Sequence, residues 1–448
     1  METVLIAVGT LVPMLLILVV VHELGHFFTA RALGVKVLEF GVGFPPRAFS
    51  IYAGKTRVLI DPYTRFVNLQ GLADLRLGQL VKVCSTEDSH GNLVARIIEA
   101  PRHKRRFQRH APEEIGARKD AAPDDLLKHE GKVRAVEPDG GSFILADMMY
   151  SVNWAPLGGF VRLAGESNPD IPRSLASKGT GTRFLVLVAG PLMNAILPVV
   201  IFAILFMIPQ EVTVGQVLVS QVGIDSPAAA GGLRSGDVIV RAGGYKIENR
   251  IDLTRSINLN GGSAMEWLII RDGVQQSLRV KPQFDSDSSR WLVGILPDLA
   301  DSRVVNRAKP PWEAIPQGFV STWESLVLMK QAITGAVSEG STPELSGPIG
   351  IAQLTGEVTR EGGLTGWLAI AVLLSINLAI FNILPIPMLD GGRLVFVILE
   401  WLRRGKKVPP EKEGLVHLVG FALLLSAILV ISANDINRLV QGSSFLGG

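Results

Sequence analysis

An uncharged apolar run at residues 3–21 continues without a turn signal into the pentapeptide HELGH at residues 22–26. The run has about the length that a helix needs to cross the hydrocarbon core of a bilayer. On one continuous helix, His22 and His26 lie on the same face, so their imidazoles can share a metal ion. An ionised Glu23 at membrane depth costs about 2.5–3.5 kcal/mol on insertion scales, which favours a functional role. The alternative, histidines satisfied in an ordinary core, also requires buried polar partners.

The composition indicates membrane spans combined with water-exposed domains. The 448 residues are 48% hydrophobic and 19% charged, which is too apolar for an average soluble protein and too charged for one embedded throughout. A net charge of +3 gives no indication of nucleic-acid binding, and we expect none. Cys84 is the only cysteine, which excludes intrachain disulfides and cysteine-rich metal sites. Because no basic segment precedes the first run and no small-residue cleavage site follows it, we expect a retained span.

Three further apolar runs, at residues 184–209, 367–384 and 415–432, qualify as spans. The sequence therefore predicts an α-helical membrane protein with four transmembrane helices. The short loops after the first and third spans and before the second are basic, which predicts that they are cytoplasmic. The basic residues concerned are Arg31, Lys36, Arg183, Arg403, Arg404, Lys406 and Lys407. The termini and the loop between the second and third spans then face outward.

The outward loop is predicted to contain an α/β domain at residues 211–285. The stretch 226–239 closely matches the pattern SPAxxAGLxxGDxI and resembles a PDZ domain, with Gly236 and Asp237 forming a turn before an alternating strand. A generic β-rich domain is the alternative. Beyond it, residues 286–363 are predicted to form a linker and an amphipathic helix at 311–339. That helix lies in the membrane interface or packs on the protein's own spans.

The cytoplasmic region at residues 36–183 is predicted to include a small β-rich insertion at about 56–147. Alternating segments separated by His-Gly and Asp-Gly turn signals support this interpretation. Within it, residues 102–125 are polar and basic. A solvated flexible loop is favoured there over a patch that contacts anionic lipid or RNA.

Two histidines need a third protein ligand to hold a catalytic zinc ion. Glu39, the nearest candidate after HELGH, lies past the end of the span. Asp390 is better placed, because it lies in the segment NILPIPMLDGG at residues 382–392, whose two prolines stop the third span from continuing as a helix. Irregular backbone at membrane depth survives only where it is buried or lines a wet cavity. We therefore expect Asp390 to face the first span; the alternative is a helix N-cap.

HELGH in a first span, a PDZ-like module and NILPIPMLDGG in a later span together resemble the site-2 protease family of intramembrane zinc metalloproteases. The chain is most similar to the bacterial regulator-of-sigma-E protease branch. Shorter matches at residues 40–45, 156–161, 189–194 and 345–352 extend the resemblance over most of the sequence. Two features depart from the family pattern. The insertion at 56–147 interrupts a β-hairpin, and only one PDZ-like module is evident.

The resemblance implies that Zn²⁺ is bound by His22, His26 and Asp390 and that Glu23 is the general base. It implies a membrane-re-entrant β-hairpin that begins at Phe40 and returns at 150–163. Contacts with the substrate or transition state are implied for Asn382, Pro385, Pro387, Gly158 and Gly159. The predicted divisions of the chain are 1–35, 36–183, 184–210, 211–285, 286–363, 364–402 and 403–448. The first, third and sixth of these divisions carry the first three transmembrane spans. The last division carries a basic turn and the fourth span.

The resemblance also implies a multi-pass protein of the bacterial inner membrane, with the PDZ-like domain outside and the active site toward the cytoplasm. Its expected partners are the lipid bilayer and single-span membrane proteins such as anti-sigma factors, which it cleaves in regulated intramembrane proteolysis. A non-catalytic PDZ-bearing scaffold and a metal or proton transporter are the alternatives. A di-iron oxygenase is excluded because it needs many clustered histidines, whereas the other five are scattered, at His90, His103, His110, His129 and His417.

Overall fold

The computed structural model describes residues 2–100, 125–137, 141–166, 168–285, 288, 290–338 and 347–440. Within these ranges, four helices are long and apolar enough to cross a membrane, at Ile6–Ala32, Thr180–Met207, Pro348–Ile383 and Pro410–Arg438. They coincide with the four predicted apolar runs and confirm them. The predicted basic stretch lies outside the described residues except for Asp125.

The described part of the chain contains eight α-helices and fifteen strands. The helices are α1 (Glu2–Ala32), α2 (Thr180–Met207), α3 (Pro227–Ala230), α4 (Arg250–Leu259), α5 (Pro311–Ser338), α6 (Pro348–Ile383), α7 (Asp390–Leu402) and α8 (Pro410–Val440). The strands are β1 (Val37–Ala53), β2 (Thr56–Val67), β3 (Leu80–Glu87), β4 (Leu93–Glu99), β5 (Leu127–Val136), β6 (Ser142–Ala146), β7 (Met148–Leu163), β8 (Gln210–Val222), β9 (Val238–Ala242), β10 (Tyr245–Lys246), β11 (Met265–Arg271), β12 (Val274–Val280), β13 (Gln283–Asp285), β14 (Arg290–Leu292) and β15 (Ile295–Arg307).

Helices α1, α2 and α6 pack together around a buried apolar cluster that includes Met14, Ile201 and Leu374. HELGH lies within the unbroken helix α1, as the sequence predicts. Its Gly25 allows α1 to approach α2 closely, because a Cβ at this position would lie only 2.6 Å from the carbonyl carbon of Ala189. The close approach brings the histidine face of α1 directly against α2.

A two-stranded antiparallel hairpin of β1 and β7 follows α1, and a closed five-stranded barrel is inserted between its strands. The barrel has the order β2-β4-β3-β5-β6 and is filled by apolar side chains, among them Val58, Val83, Phe143 and Leu145. The predicted insertion is therefore a β module, and its closure removes the unpaired strand edges that an open sheet of this size would present.

A buried polar network joins the barrel to the end of α1. His129 Nδ1 lies 2.7 Å from Asp147 Oδ2, and Lys36 Nζ lies 2.5 Å from the same oxygen. Although burial pushes the pKa of Asp147 upward, the hydrogen bond from His129 and the Lys36 ammonium outweigh it and hold the pKa at about 2. Ser85 Oγ lies 2.9 Å from His129 Nε2, which resembles a hydrolase triad. Because Ser85 has no exposed surface, the network fixes the barrel in place instead.

The PDZ-like domain is a sheet of order β12-β11-β9-β8-β15, with β10 paired to β9 and α4 packed over the buried Trp267. Strand β15 pairs antiparallel with β8 from Ile295 to Arg307. The predicted end of this domain at residue 285 is therefore too early, and part of the predicted linker at 286–363 is a strand of the sheet. The edge strand β15 is largely exposed, so it lacks the alternating apolar pattern on which a sequence-based prediction depends.

Helix α5 joins the PDZ-like domain to the membrane helices. Its Gly318 packs on the backbone of α2 at Val199, and its Glu324 forms a salt bridge with Arg255 of α4. On its outer side, Trp312 and Trp323 are 74% and 68% exposed. Both alternatives predicted for this helix therefore have a structural basis, since one face packs on a span and the other presents aromatic side chains outward.

Candidate metal centre

The structure brings His22, His26 and Asp390 together across more than 360 residues of sequence. His22 Nε2 and His26 Nε2 lie 2.9 and 3.2 Å from Asp390 Oδ2. The two Nε2 atoms lie 3.1 Å from each other. Both histidines are buried, with 7% and 9% of their surface exposed. Among the described residues, this is the group of His, Cys, Asp and Glu side chains whose ligand atoms converge closely enough to hold one metal ion.

The three converging atoms fit zinc. Ligand bonds of 2.0–2.1 Å in a tetrahedral site place neighbouring ligand atoms about 3.3 Å apart. The observed separations of 2.9, 3.1 and 3.2 Å approach that value. Two imidazoles and one carboxylate are also a donor set of catalytic zinc sites, in which the fourth position remains open.

The loop between α6 and α7 places Asp390 opposite the histidines. Helix α6 ends at Ile383, and the residues that follow include Pro385, Pro387 and a positive φ of 76° at Met388. Helix α7 then begins with Asp390, and its N-cap residue is Leu389, without a side-chain capping bond. Asp390 therefore does not occupy the N-cap position, and its carboxylate lies within hydrogen-bonding distance of the two imidazoles.

Helix α8 supports this loop from the other side. His417 Nδ1 accepts a hydrogen bond from the backbone N–H of Met388 at 2.9 Å. Gly420, one turn later, packs on the ring of Pro387, and a Cβ there would lie 2.7 Å from the proline Cγ. A span that is otherwise largely exposed thus contacts the segment that carries the carboxylate.

Helix α2 forms the wall behind the two imidazoles. His26 Nδ1 lies 2.7 Å from the carbonyl oxygen of Val186, and His22 Nδ1 lies 3.3 Å from the side-chain nitrogen of Asn194. Between them, Gly190 faces both rings without a side chain. Each histidine therefore has a partner on its Nδ1 side, which leaves the Nε2 side for the shared ligand.

Glu23 lies between the histidine cluster and the hairpin. Its Oε2 accepts a hydrogen bond from the backbone N–H of Val161 at 2.9 Å. Gly159 of β7 lies beside this glutamate: a Cβ on it would make ordinary contact with Glu23 Cγ, at 3.8 Å, and a tight contact with the carbonyl oxygen of Gly41 on β1, at 3.0 Å. The neighbouring Gly158 has a φ of 132°, a conformation that favours glycine. Both glycines therefore lie beside α1.

The structure connects the other predicted contact residues to the centre less directly. Pro385 and Pro387 lie in the loop before Asp390, whereas Asn382 is at the end of α6. Sequence reasoning missed the supporting roles of Gly190, Asn194 and His417. The sequence contained the match at 189–194 and a histidine in the fourth span, but neither pattern states which side chain it contacts.

Replacing Gly190 with alanine is expected to weaken metal binding severely. The added Cβ would lie 2.6 Å from His22 Nε2 and closer still to His26 Nε2, so it would occupy the space where the ligands converge. We expect a loss of zinc affinity larger than the roughly 10- to 100-fold that follows loss of an outer hydrogen-bonding partner. Metal analysis of the purified chain would measure it. Gly181→Ala in the first turn of the same helix is the control, because a Cβ there meets nothing within 4 Å. Equal zinc content in both variants would contradict the assigned packing.

Comparison with known proteins gives a family match and several similar proteins. The family model for peptidase family M50 matches residues 10–71 and 141–427. Zinc metalloprotease RasP of Oceanobacillus iheyensis is 31% identical over 94% of this chain and 97% of its own length. Regulator of sigma-W protease RasP of Bacillus subtilis is 29% identical over 96% of this chain and 99% of its own. Among solved structures, the PDZ domain of an SdrC-like protein from Listeria monocytogenes covers 20% of this chain and 93% of that domain, at 22% identity and a TM-score of 0.18.

Proposed function

The chain belongs to peptidase family M50, and from this membership we propose that it hydrolyses a peptide bond within the transmembrane segment of single-span membrane proteins. It is a zinc metalloprotease of the site-2 type, so the resemblance found in the sequence is confirmed. Its cofactor is Zn²⁺. Family membership also favours hydrolysis over the two alternatives, a non-catalytic scaffold and a transporter.

One observation carries the proposal: two histidines of a span-length helix converge with Asp390 at the start of the distant helix α7, and a glutamate lies on the turn between the histidines. We propose His22, His26 and Asp390 as the zinc ligands. Zinc bound there supplies Lewis acidity that polarises the scissile carbonyl and lowers the pKa of a water molecule. Glu23 is the proposed general base. Because its Oε2 is held by the Val161 N–H, its other carboxylate oxygen is left to take the water proton and pass it to the leaving amine.

The hairpin of β1 and β7 is the proposed binding element for the substrate. A helical substrate has its amides bonded internally, so its scissile carbonyl is inaccessible until the helix unwinds locally. The unwound segment needs new backbone partners, and the edge of a two-stranded hairpin can provide them by strand addition. Exposed apolar side chains, including Phe44, Phe49, Val152 and Trp154, favour insertion of the hairpin tip into the bilayer. Gly158 and Gly159 of β7, which lie beside α1, are proposed contacts with the substrate or transition state.

The protein is integral to the bacterial membrane and acts on membrane proteins in a lipid environment. The proposed orientation places the PDZ-like domain outside and the active site toward the cytoplasm. The basic residues that flank the first and second spans, Arg31, Lys36 and Arg183, support it. Asn382, Pro385 and Pro387 are proposed substrate contacts, since their segment leads directly to Asp390.

The function is tested by mixing the purified full chain in detergent with a model single-span protein. We expect two fragments, with the cut inside the apolar segment. A zinc chelator should stop cleavage, and added Zn²⁺ should restore it. An intact substrate in the presence of zinc-loaded protein would favour a scaffold, and Zn²⁺ or proton flux in liposomes without cleavage would favour a transporter.

A further inference from the structure

Asn194 is a buried residue of α2 whose side-chain nitrogen has a partner and whose side-chain oxygen has none in the described structure. None of its surface is exposed, and its Nδ2 lies 3.3 Å from His22 Nδ1. Its Oδ1, equally buried, has no hydrogen-bond partner in the described structure. Unpaired buried oxygens are uncommon, and each needs a physical reason.

The chemistry of His22 supplies that reason. Its Nε2 faces Asp390 and His26, so Nε2 is the atom that points to the metal. A neutral imidazole that offers its Nε2 lone pair carries its proton on Nδ1. That proton needs an acceptor, and the nearest group is the Asn194 amide. The oxygen and nitrogen of a side-chain amide exchange places by a half-turn, and their assignment follows from the hydrogen-bond network. The half-turn replaces Nδ2, a donor that cannot accept the Nδ1 proton of His22, with Oδ1, which can, and moves Nδ2 to the position that Oδ1 now occupies.

We propose that Asn194 is a positioning residue for the metal centre, whose Oδ1 accepts the Nδ1–H of His22 and fixes the tautomer and angle of that ring. The inference rests on the proposed function. His26 has a matching arrangement, because its Nδ1 lies 2.7 Å from the Val186 carbonyl oxygen on the same helix. One backbone oxygen and one side-chain oxygen of α2 thereby orient the two imidazoles. Of the two, only the side-chain oxygen of Asn194 can be removed by mutation.

The experiment measures the zinc dissociation constant of the purified full chain by competition with a chelator of known affinity. Asn194→Leu removes both polar atoms at nearly constant volume and should weaken binding by roughly 10- to 100-fold. Asn194→Asp keeps an acceptor and should restore binding to near the wild-type value, because a carboxylate also orients a zinc-bound histidine. Ser375→Ala is the control, since its hydroxyl donates only to the Asn194 backbone oxygen at 2.8 Å and does not touch the amide.

The outcomes separate the possible roles. Wild-type affinity in a folded Asn194→Leu would overturn the proposal. Equal weakening of zinc binding in Asn194→Leu and Asn194→Asp would overturn the acceptor role. An aspartate can accept a hydrogen bond but cannot donate one, so this result would assign Asn194 a donor or packing role instead. Should Asn194→Leu fail to fold, weakened zinc binding in Asn194→Asp would still overturn the acceptor role. The visible spectrum of the Co²⁺-loaded chain gives a second readout, which should change in Asn194→Leu and not in Ser375→Ala. If the wild-type chain bound no zinc, the proposed function itself would fail.

Discussion

Replacing Glu23 with glutamine is expected to lower the rate of peptide hydrolysis by roughly 10²- to 10⁴-fold, the range that general acid–base catalysis contributes. One zinc ion should remain bound per chain, because residue 23 is not among the three side chains whose ligand atoms converge. The glutamine oxygen can still accept the Val161 N–H, so the hairpin should keep its place beside α1. The substitution therefore removes the proton-accepting group while it preserves shape and metal. Cleavage of a single-span substrate under single-turnover conditions measures the effect.

Metal analysis of the same samples separates loss of chemistry from loss of zinc. Glu361→Gln makes the same change on an exposed residue of α6 and should cleave at the wild-type rate. Near-normal cleavage by a zinc-loaded Glu23→Gln chain would remove Glu23 from the mechanism. Loss of zinc together with activity would indicate instead that Glu23 acts in building the centre.

Sequence reasoning predicts best the features that a pattern of neighbouring residues specifies. The four apolar runs and the unbroken passage from the first run into HELGH depend on length and helical spacing, which neighbouring residues specify. The sequence predicts the position of Asp390 for a similar reason. Two prolines before it stop the third span from continuing as a helix, and a carboxylate next to irregular backbone at membrane depth needs a purpose.

The features that could not be predicted depend on contacts between distant segments. Asn194 and His22 are 172 residues apart, and His417 and Met388 are 29 residues apart, with helix α7 between them in the sequence. No local rule states that residue 190 must be a glycine because two imidazoles lie against it. Strand β15 was missed because an exposed edge strand keeps no apolar alternation, and its identity comes from pairing with β8 some 85 residues earlier. Long-range packing, which a single sequence does not record, decides all four.

Replacing Asp390 with alanine is expected to lower bound zinc well below one ion per chain and to stop cleavage. Two imidazoles alone leave zinc one protein ligand short of a catalytic site. Asp390→Asn should fail in nearly the same way, because an amide is a much weaker zinc ligand than a carboxylate. The pair of variants also addresses the helix N-cap alternative, since asparagine caps a helix as well as aspartate does. A capping role would be rescued by asparagine, whereas a ligand role would not.

Glu166→Ala is the matched control for this prediction. Its carboxylate lies 2.8 Å from Arg393 on the same helix α7, and the pair is exposed, so its loss should cost no more than about 1 kcal/mol. Zinc content near one per chain in Glu166→Ala, together with its loss in both Asp390 variants, would tie metal binding to residue 390 and not to the general charge of α7. Unchanged zinc stoichiometry in Asp390→Ala would mean that the third ligand lies elsewhere. The joining of two remote segments around one cation would then lose its basis.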